Sequence, residues 1–265
     1  MNSSIRFNHH IGLILCLVSL FRLGNGGEVM DPKNTVVADY DPESDWSFEF
    51  MPYLWAASVE GSNAIGNLST SYTYDFDELL KDLNMTAMFV GGFKYKRLGF
   101  IADFQYLKVS PGRPTRGPVF GNVSLTLEQT SLALLGSYDL IANDRFTFAI
   151  IGGARYLNVD TTLTVSPGVA PVGFSRRSST TSWDAVGGFR AKYFLDDQWF
   201  LSAYGDYGSG DSDQTWQAYG GVGYIINDSW HTSVGYRVLS YETSTARTTA
   251  NTDTSGIFIG FGYSY

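Results

Sequence analysis

Cysteine is almost absent. The only one among 265 residues is Cys16, so the chain has no internal disulfide, and its fold must rest on hydrogen bonds and packing. Histidine is nearly as scarce: His9, His10 and His231 are all there is. They show no metal-ligand spacing, and no G-x-S-x-G element offers a nucleophile. Charge is thin at 17% of residues and tilted to acid, with 26 Asp and Glu against 18 Lys and Arg. An acidic chain is a poor ligand for nucleic acid. Long apolar runs are missing too. Ile11 to Phe21 covers eleven residues, short of the roughly 20 that a membrane helix needs. With a mean hydropathy close to zero, a bundle of membrane helices is excluded.

Aromatics and glycine are plentiful: 18 Phe, 17 Tyr and 29 Gly. The last nine residues, I-F-I-G-F-G-Y-S-Y, place Ile257, Ile259, Phe261, Tyr263 and Tyr265 on one parity and Phe258, Gly260, Gly262 and Ser264 on the other. A two-residue period is a β-strand with one apolar face. A strand that stops on an aromatic resembles the closing strand of a bacterial outer-membrane β-barrel, where the assembly machinery reads that signature. The competing reading is an edge strand of a secreted sandwich.

Ten such runs are expected: Trp46–Glu60, Met85–Lys96, Leu98–Val109, Val123–Ile141, Arg145–Thr162, Thr180–Leu195, Trp199–Ser209, Asp213–Ile226, Trp230–Glu242 and Asp253–Tyr265. Their connections alternate. Lys96-Arg97, Ala142 to Asp144, Asp196 to Gln198 and Asn227-Asp228 are tight turns. Gly61–Asn84, Ser110–Asn122, Leu163–Ser179, Gly208–Ser212 and Thr243–Thr252 are the longer links. Alternation of short and long is the rule of an up-and-down barrel, and an even strand number fits a single-chain bacterial barrel of about ten strands. Ahead of the barrel (46–265), residues 1–26 read as a secretory signal peptide with cleavage after Gly26. Residues 27–45, with Asp31-Pro32 and Asp41-Pro42, read as a flexible periplasmic tail. The mature chain then carries 16 bases against 26 acids, a net −10.

Gly-Gly recurs in mid-strand at V-G-G-F-K-Y (Val90), I-G-G-A-R-Y (Ile151), V-G-G-F-R-A (Val186) and Y-G-G-V-G-Y (Tyr219). The period puts Phe93, Ala154, Phe189, Val222, Tyr236 and Phe261 on the lipid face and the glycines in the lumen, where they allow tight curvature and leave room for long side chains. The same parity directs Lys94, Asp103, Glu128, Arg155, Asp184, Arg190, Asp206 and Arg237 inward, together with Glu49. These charges either pair to hold the interior together or line a selective path. Trp46, Trp199 and Trp230, with Tyr95 and Tyr193, fall at strand ends, where an interfacial girdle belongs. In the first long link, Asp75 or Asp77 can cap a short helix bearing Leu79, Leu80 and Leu83, a candidate plug; alternatively Ser69–Phe76 extends the first hairpin.

The segments W-S-F-E-F-M-P-Y-L-W-A-A-S-V-E-G (Trp46–Gly61), D-F-D-E-L-L, G-F-I-A-D-F-Q-Y-L-K-V-S (Gly99–Ser110) and G-D-Y-G-S-G-D-S-D-Q-T-W-Q-A-Y-G-G-V-G-Y (Gly205–Tyr224) resemble a mostly uncharacterised family of small Gram-negative outer-membrane β-barrel proteins. The resemblance implies the fold and the outer membrane, and brings no reaction, cofactor or ligand. Outer-membrane lipid, lipopolysaccharide and the barrel-assembly machinery are the partners expected of such a protein. The leading functional expectation is a membrane scaffold or a narrow diffusion channel, open or plugged, for small solutes. The alternative is surface binding or adhesion through the long loops. A lipid- or peptide-hydrolysing barrel is the third reading. It rests on His231 and Ser233 alone, so an enzyme is not expected. Asp211 and Asp213 read as a solvated turn in preference to a Ca²⁺ site.

Overall fold

The computed structural model describes residues 45–65, 68–74, 76–77, 83–110, 112–114, 120–168, 173–244 and 248–265. The expected signal peptide, and all of the expected tail except Asp45, lie outside them. The strands in chain order are β1 (Trp46–Ile65), β2 (Leu68–Tyr74), β3 (Leu83–Tyr95), β4 (Leu98–Val109), β5 (Gly112–Pro114), β6 (Phe120–Ala142), β7 (Phe146–Pro167), β8 (Phe174–Phe194), β9 (Trp199–Gly210), β10 (Gln214–Ile225), β11 (Trp230–Ser244) and β12 (Thr248–Ser264). Ten of these are the staves of a closed antiparallel barrel, each paired with its sequence neighbour. The barrel closes where β12 pairs with β1 from Glu49↔Ser264 to Ile65↔Thr248. The terminal residue is part of that closure: the Tyr265 amide donates to the Phe48 carbonyl at 2.9 Å and the Phe48 amide to the Tyr265 carbonyl at 2.7 Å.

The two short strands are additions at the rim. β2 pairs with the upper part of β1, so residues 68–74 extend the first hairpin. Much of the stretch expected to be helical lies outside the described residues, and Leu83, expected on that helix, instead begins β3. β5 adds a short rung beside β6.

Staves differ in length. β9 and β10 have 12 residues each, whereas β6, β7 and β8 have 23, 22 and 21. A barrel strand crosses a bilayer in about 9–11 residues, so β9 and β10 suffice for one crossing while β6–β8 continue as a tall wall. The chemistry of the wall changes with height. On β7, outward Phe146, Phe148 and Ile150 give way beyond Tyr156 to Asn158 and Asp160, and the inward positions there become Leu157, Val159 and Leu163. On β8, Trp183 and Tyr193 bracket the apolar outer stretch ten steps apart, and Trp183 packs on Tyr156 with ring centroids 4.8 Å apart. Ten steps at about 3.3 Å, tilted about 40–45°, rise about 25 Å, the height of a barrel's apolar band. Above that band the outside of the wall is polar.

Inward glycines set how close the interior side chains come. A Cβ on Gly223 would lie 2.0 Å from the Phe200 ring, and one on Gly262 would lie 2.3 Å from the His231 imidazole. Both rings lie flat over bare backbone, which only glycine permits.

Three of the tight turns use one device. Asn143 Oδ1 accepts from the amides of Arg145 and Phe146 at 3.1 and 2.9 Å, Asp196 Oδ1 from Gln198 and Trp199 at 2.8 and 2.7 Å, and Asn227 Oδ1 from Ser229 and Trp230, both at 3.0 Å. The side chain stands in for a backbone carbonyl and fixes the start of the next strand. The fourth turn differs: Lys96 takes a positive φ of 55°, and its ammonium pairs with Asp45 at 3.3 Å. Asp196→Ala is expected to lower barrel stability by about 1 kcal/mol, seen as an earlier midpoint in urea unfolding of the reconstituted protein, with Asp196→Asn retaining most of it.

Candidate functional site: the polar lumen

Six staves send polar side chains to one level of the lumen. The Arg237 guanidinium (β11) donates from Nη2 to Asp103 Oδ2 (β4) at 2.6 Å and to Gln217 Oε1 (β10) at 2.8 Å, and from Nη1 to Tyr53 Oη (β1) at 2.8 Å. Tyr53 donates its hydroxyl proton to Asp103 Oδ1 at 2.6 Å. Arg155 (β7) donates to Asp206 (β9) and to Thr215 Oγ1 (β10) at 2.9 Å, and lies 3.5 Å from Gln217 Oε1. Tyr204 donates to Asp206 from the same stave. Gln217 therefore joins two arginine–aspartate pairs into one chain. Arg155 is 1% exposed, Thr215 0%, and Asp206, Gln217 and Arg237 6% each. Charges this deeply buried persist only when paired and hydrogen-bonded.

The pairing reaches across the barrel. Asp103 and Arg237 are separated by β3, β1 and β12 along the wall, and Arg155 and Asp206 by β8. The Asp103–Arg237 bond therefore crosses the lumen, while the Arg155–Asp206 bond spans one intervening stave. An apolar layer lies against this network: Tyr53, Trp55, Ala57, Leu239, Tyr241 and Phe258 are buried together, with Met88, Val90, Leu157 and Tyr219 packed on them. The Arg237 guanidinium sits 5.1 Å from the centre of the Trp55 ring, a cation–π contact.

Nearer the short turns is a second set of charges. Glu49 lies 3.5 Å from His231 Nε2, in the field of Lys192 and Arg190. Lys192 lies over the Phe200 ring at 4.7 Å, and Phe200 meets His231 edge-on at 6.0 Å. Lys94 pairs with Asp139 at 3.1 Å.

Of the charges expected inward, Lys94, Asp103, Arg155, Asp184, Arg190, Asp206 and Arg237 share the lumen-facing parity of their strands. Asp184 has a local task, accepting from the Ser212 amide at 2.9 Å. Together with the bond from the Trp183 amide to Asp211 Oδ2 at 2.9 Å, it pins the Gly210–Asp213 link to β8. Glu128 is a correction. On β6 the buried residues Ser131, Ala133 and Leu135 set the inward parity, so Glu128 faces outward, bonded to Lys108 of β4 at 2.6 Å. It stands opposite Asp160 of β7, which takes a 2.9 Å bond from Arg177. That bond holds the Asp160 carboxyl below the usual carboxylate range. The reason is the height inversion: above the apolar band, outward positions are the polar ones. Trp46, Trp199, Trp230, Phe261, Tyr263 and Tyr265 all lie outward and exposed. Trp46 packs on Tyr95, Trp199 on Tyr224 and Trp230 on Tyr263, each pair with ring centroids 4.9 Å apart.

Sequence reasoning missed Tyr53, Tyr204, Thr215 and Gln217, the neutral members of the network, and it missed Lys192. Their inward parity was readable; their role as bridges was not. Among the described residues, no group of three or more His, Cys, Asp or Glu is placed to hold a metal ion.

Solved structures define the class: this is the fold of Gram-negative outer-membrane β-barrels. The outer membrane protease OmpT of Escherichia coli superposes with a TM-score of 0.54 at 9% identity, over 88% of this chain and 100% of that one. Ail, the attachment invasion locus protein of Yersinia pestis, reaches 0.34 at 11% identity, over 83% and 98%. OprG of Pseudomonas aeruginosa reaches 0.33 at 12%, over 83% and 95%. At these identities the likeness concerns fold alone. The chain belongs to the family described as protein of unknown function, DUF481, whose model matches residues 126–265. No curated protein matches it in sequence.

Asp206→Ala leaves Arg155 buried without its carboxylate and is expected to destabilise the barrel by about 3–5 kcal/mol. The pair-deleting Arg155→Met/Asp206→Leu variant should cost much less. Denaturant unfolding in lipid vesicles, followed by tryptophan fluorescence, checks both.

Proposed function

We propose that this protein is an outer-membrane scaffold with a closed lumen, which holds the tall β6–β8 wall above the bilayer as its working surface. The reading rests on the Asp103–Arg237–Gln217–Arg155 chain, which crosses the lumen where an open channel would need free width. A barrel of about ten strands has an interior that side chains can largely fill. The apolar layer beside the chain narrows it further. A plugged channel differs from this scaffold only if the plug moves, and six staves contribute to it.

The wall supports a role at the surface. Two bonded polar groups lie on its outside, Glu128 with Lys108 of the neighbouring β4, and Arg177 with Asp160, Asn158 and Thr181, just above the aromatic pair Tyr156–Trp183. That height suits contact with lipopolysaccharide headgroups or with a macromolecule at the cell surface. No catalytic role is assigned. His231, the one histidine of the barrel, is 7% exposed and is enclosed by Glu49, Phe200 and Gly262.

Location and orientation are tested together by cysteine labelling. Arg176→Cys lies on the high wall and Asp197→Cys in a short turn. A membrane-impermeant maleimide should label the first and not the second on intact cells, and both after lysis. Labelling of Asp197→Cys alone on intact cells, or recovery of the protein outside the outer-membrane fraction, would overturn the proposal.

A further inference from the structure

The barrel wall is not hydrogen-bonded all the way up between β1 and β3. Their ladder runs from Trp46↔Tyr95 to Pro52↔Phe89 and stops there. Above it, residues 53–57 of β1 pair only with β12, and residues 83 and 85–88 of β3 only with β4, among the described residues; at the top of the stretch the Phe76 amide donates to Ser58 Oγ at 3.2 Å. Higher still, β1 pairs with β2 from Val59↔Tyr74 upward. The ladder ends at Pro52, which has no N–H to donate, and the register with β12 also skips residues 51 and 52. The gap lies at bilayer depth. Outward Leu54 and Met85 on its two sides are 66% and 57% exposed, whereas unpaired backbone facing lipid is costly unless something covers it.

The inner side of the gap is chemically defined. Trp55 and Ala57 from β1 and Met88 from β3 belong to the apolar layer of the lumen. Three buried polar atoms there have no hydrogen-bond partner: Trp55 Nε1, Thr86 Oγ1 and Arg237 Nε. Trp55 is 8% exposed and Arg237 6%. Two of the three atoms are obligate donors and the third can donate. An apolar layer with unmatched donors at its base selects a ligand with an apolar body and an acceptor head.

We propose that the β1–β3 gap is a lateral entry through which the barrel takes a long-chain fatty carboxylate from the surrounding leaflet. The chain lies among Trp55, Ala57, Met88 and Phe258, and the carboxylate accepts from Trp55 Nε1 and Arg237 Nε. The arginine network forms the floor, so the ligand enters sideways and does not pass along the lumen axis. This rests on the membrane reading above, but its test uses reconstituted protein and does not depend on cellular location.

The experiment uses the full mature chain with Trp46, Trp183, Trp199, Trp216 and Trp230 replaced by Phe, refolded into phosphatidylcholine vesicles. Trp55 is then the reporter and dibromostearate the quenching probe. Saturable quenching is expected, with far weaker quenching by brominated phosphatidylcholine at equal bromine. Continuing the Pro52↔Phe89 register sets Leu54 opposite Ala87. Oxidised Leu54→Cys/Ala87→Cys should therefore lose saturable quenching, and reduction should restore it. Ala57→Phe, which fills the layer from inside without a cross-link, should weaken binding about tenfold or more, a change of about 1.4 kcal/mol. Non-saturating quenching, equal quenching by phospholipid, or indifference to both the closed seam and Ala57→Phe would overturn the proposal.

Discussion

The bond chain Asp103–Arg237–Gln217–Arg155–Asp206 is the interaction on which the interior depends. It ties β4, β7, β9, β10 and β11 to one another through the lumen, in addition to the ladder that joins each stave to its neighbours. Two guanidinium groups at this depth are stable only while their carboxylates and the Gln217 carbonyl stay in place. The neighbouring structure follows from that requirement. Tyr53 and Tyr204 donate to the two carboxylates, Thr215 accepts from Arg155, and Trp55 covers Arg237.

The outer face obeys a different constraint, set by height. Within the band bracketed by Tyr193 and Trp183, apolar residues point out and the lumen holds the charges. Above it the wall is flanked by water, so Asn158, Asp160 and Glu128 point out and Leu157 and Val159 point in. One strand thus carries two opposite patterns. The wall that results, long at β6–β8 and short at β9–β10, places bonded polar side chains just over the bilayer. The stretch between β1 and β3 without mutual pairing interrupts the band at its upper edge, and the buried apolar side chains Trp55 and Ala57 lie on its inner side.

This explains what the sequence disclosed and what it withheld. The staves were legible because a two-residue period recurs in ten runs and three of the four tight turns carry an Asn or Asp that fixes the next strand; the strict alternation at Ile257–Tyr265 even located the closing strand. Arg155, Arg190 and Arg237 were legible as inward because each follows a lumen glycine by two positions. Glu128 was misplaced because its parity was judged by polarity, which reverses above Thr130 on β6. The pairing itself was hidden. Asp103 and Arg237 stand 134 positions apart, and only closure of the barrel brings them together. Gln217 and Thr215 looked like ordinary inward polar residues because a bridge is defined by its partners. The β1–β3 gap was also invisible, since residues 53–58 and 85–88 read as good strand and only their lack of mutual pairing marks them.

The central claim is that the resting lumen is closed, and conductance of the intact mature protein in a planar bilayer tests it most directly. With single-barrel insertion verified independently, the account predicts no steady ionic current above the bare membrane across moderate voltages of either sign. Stable unitary current steps from the unmodified protein would contradict it, because ions would then be passing the level of the Arg155–Thr215–Gln217–Arg237 network.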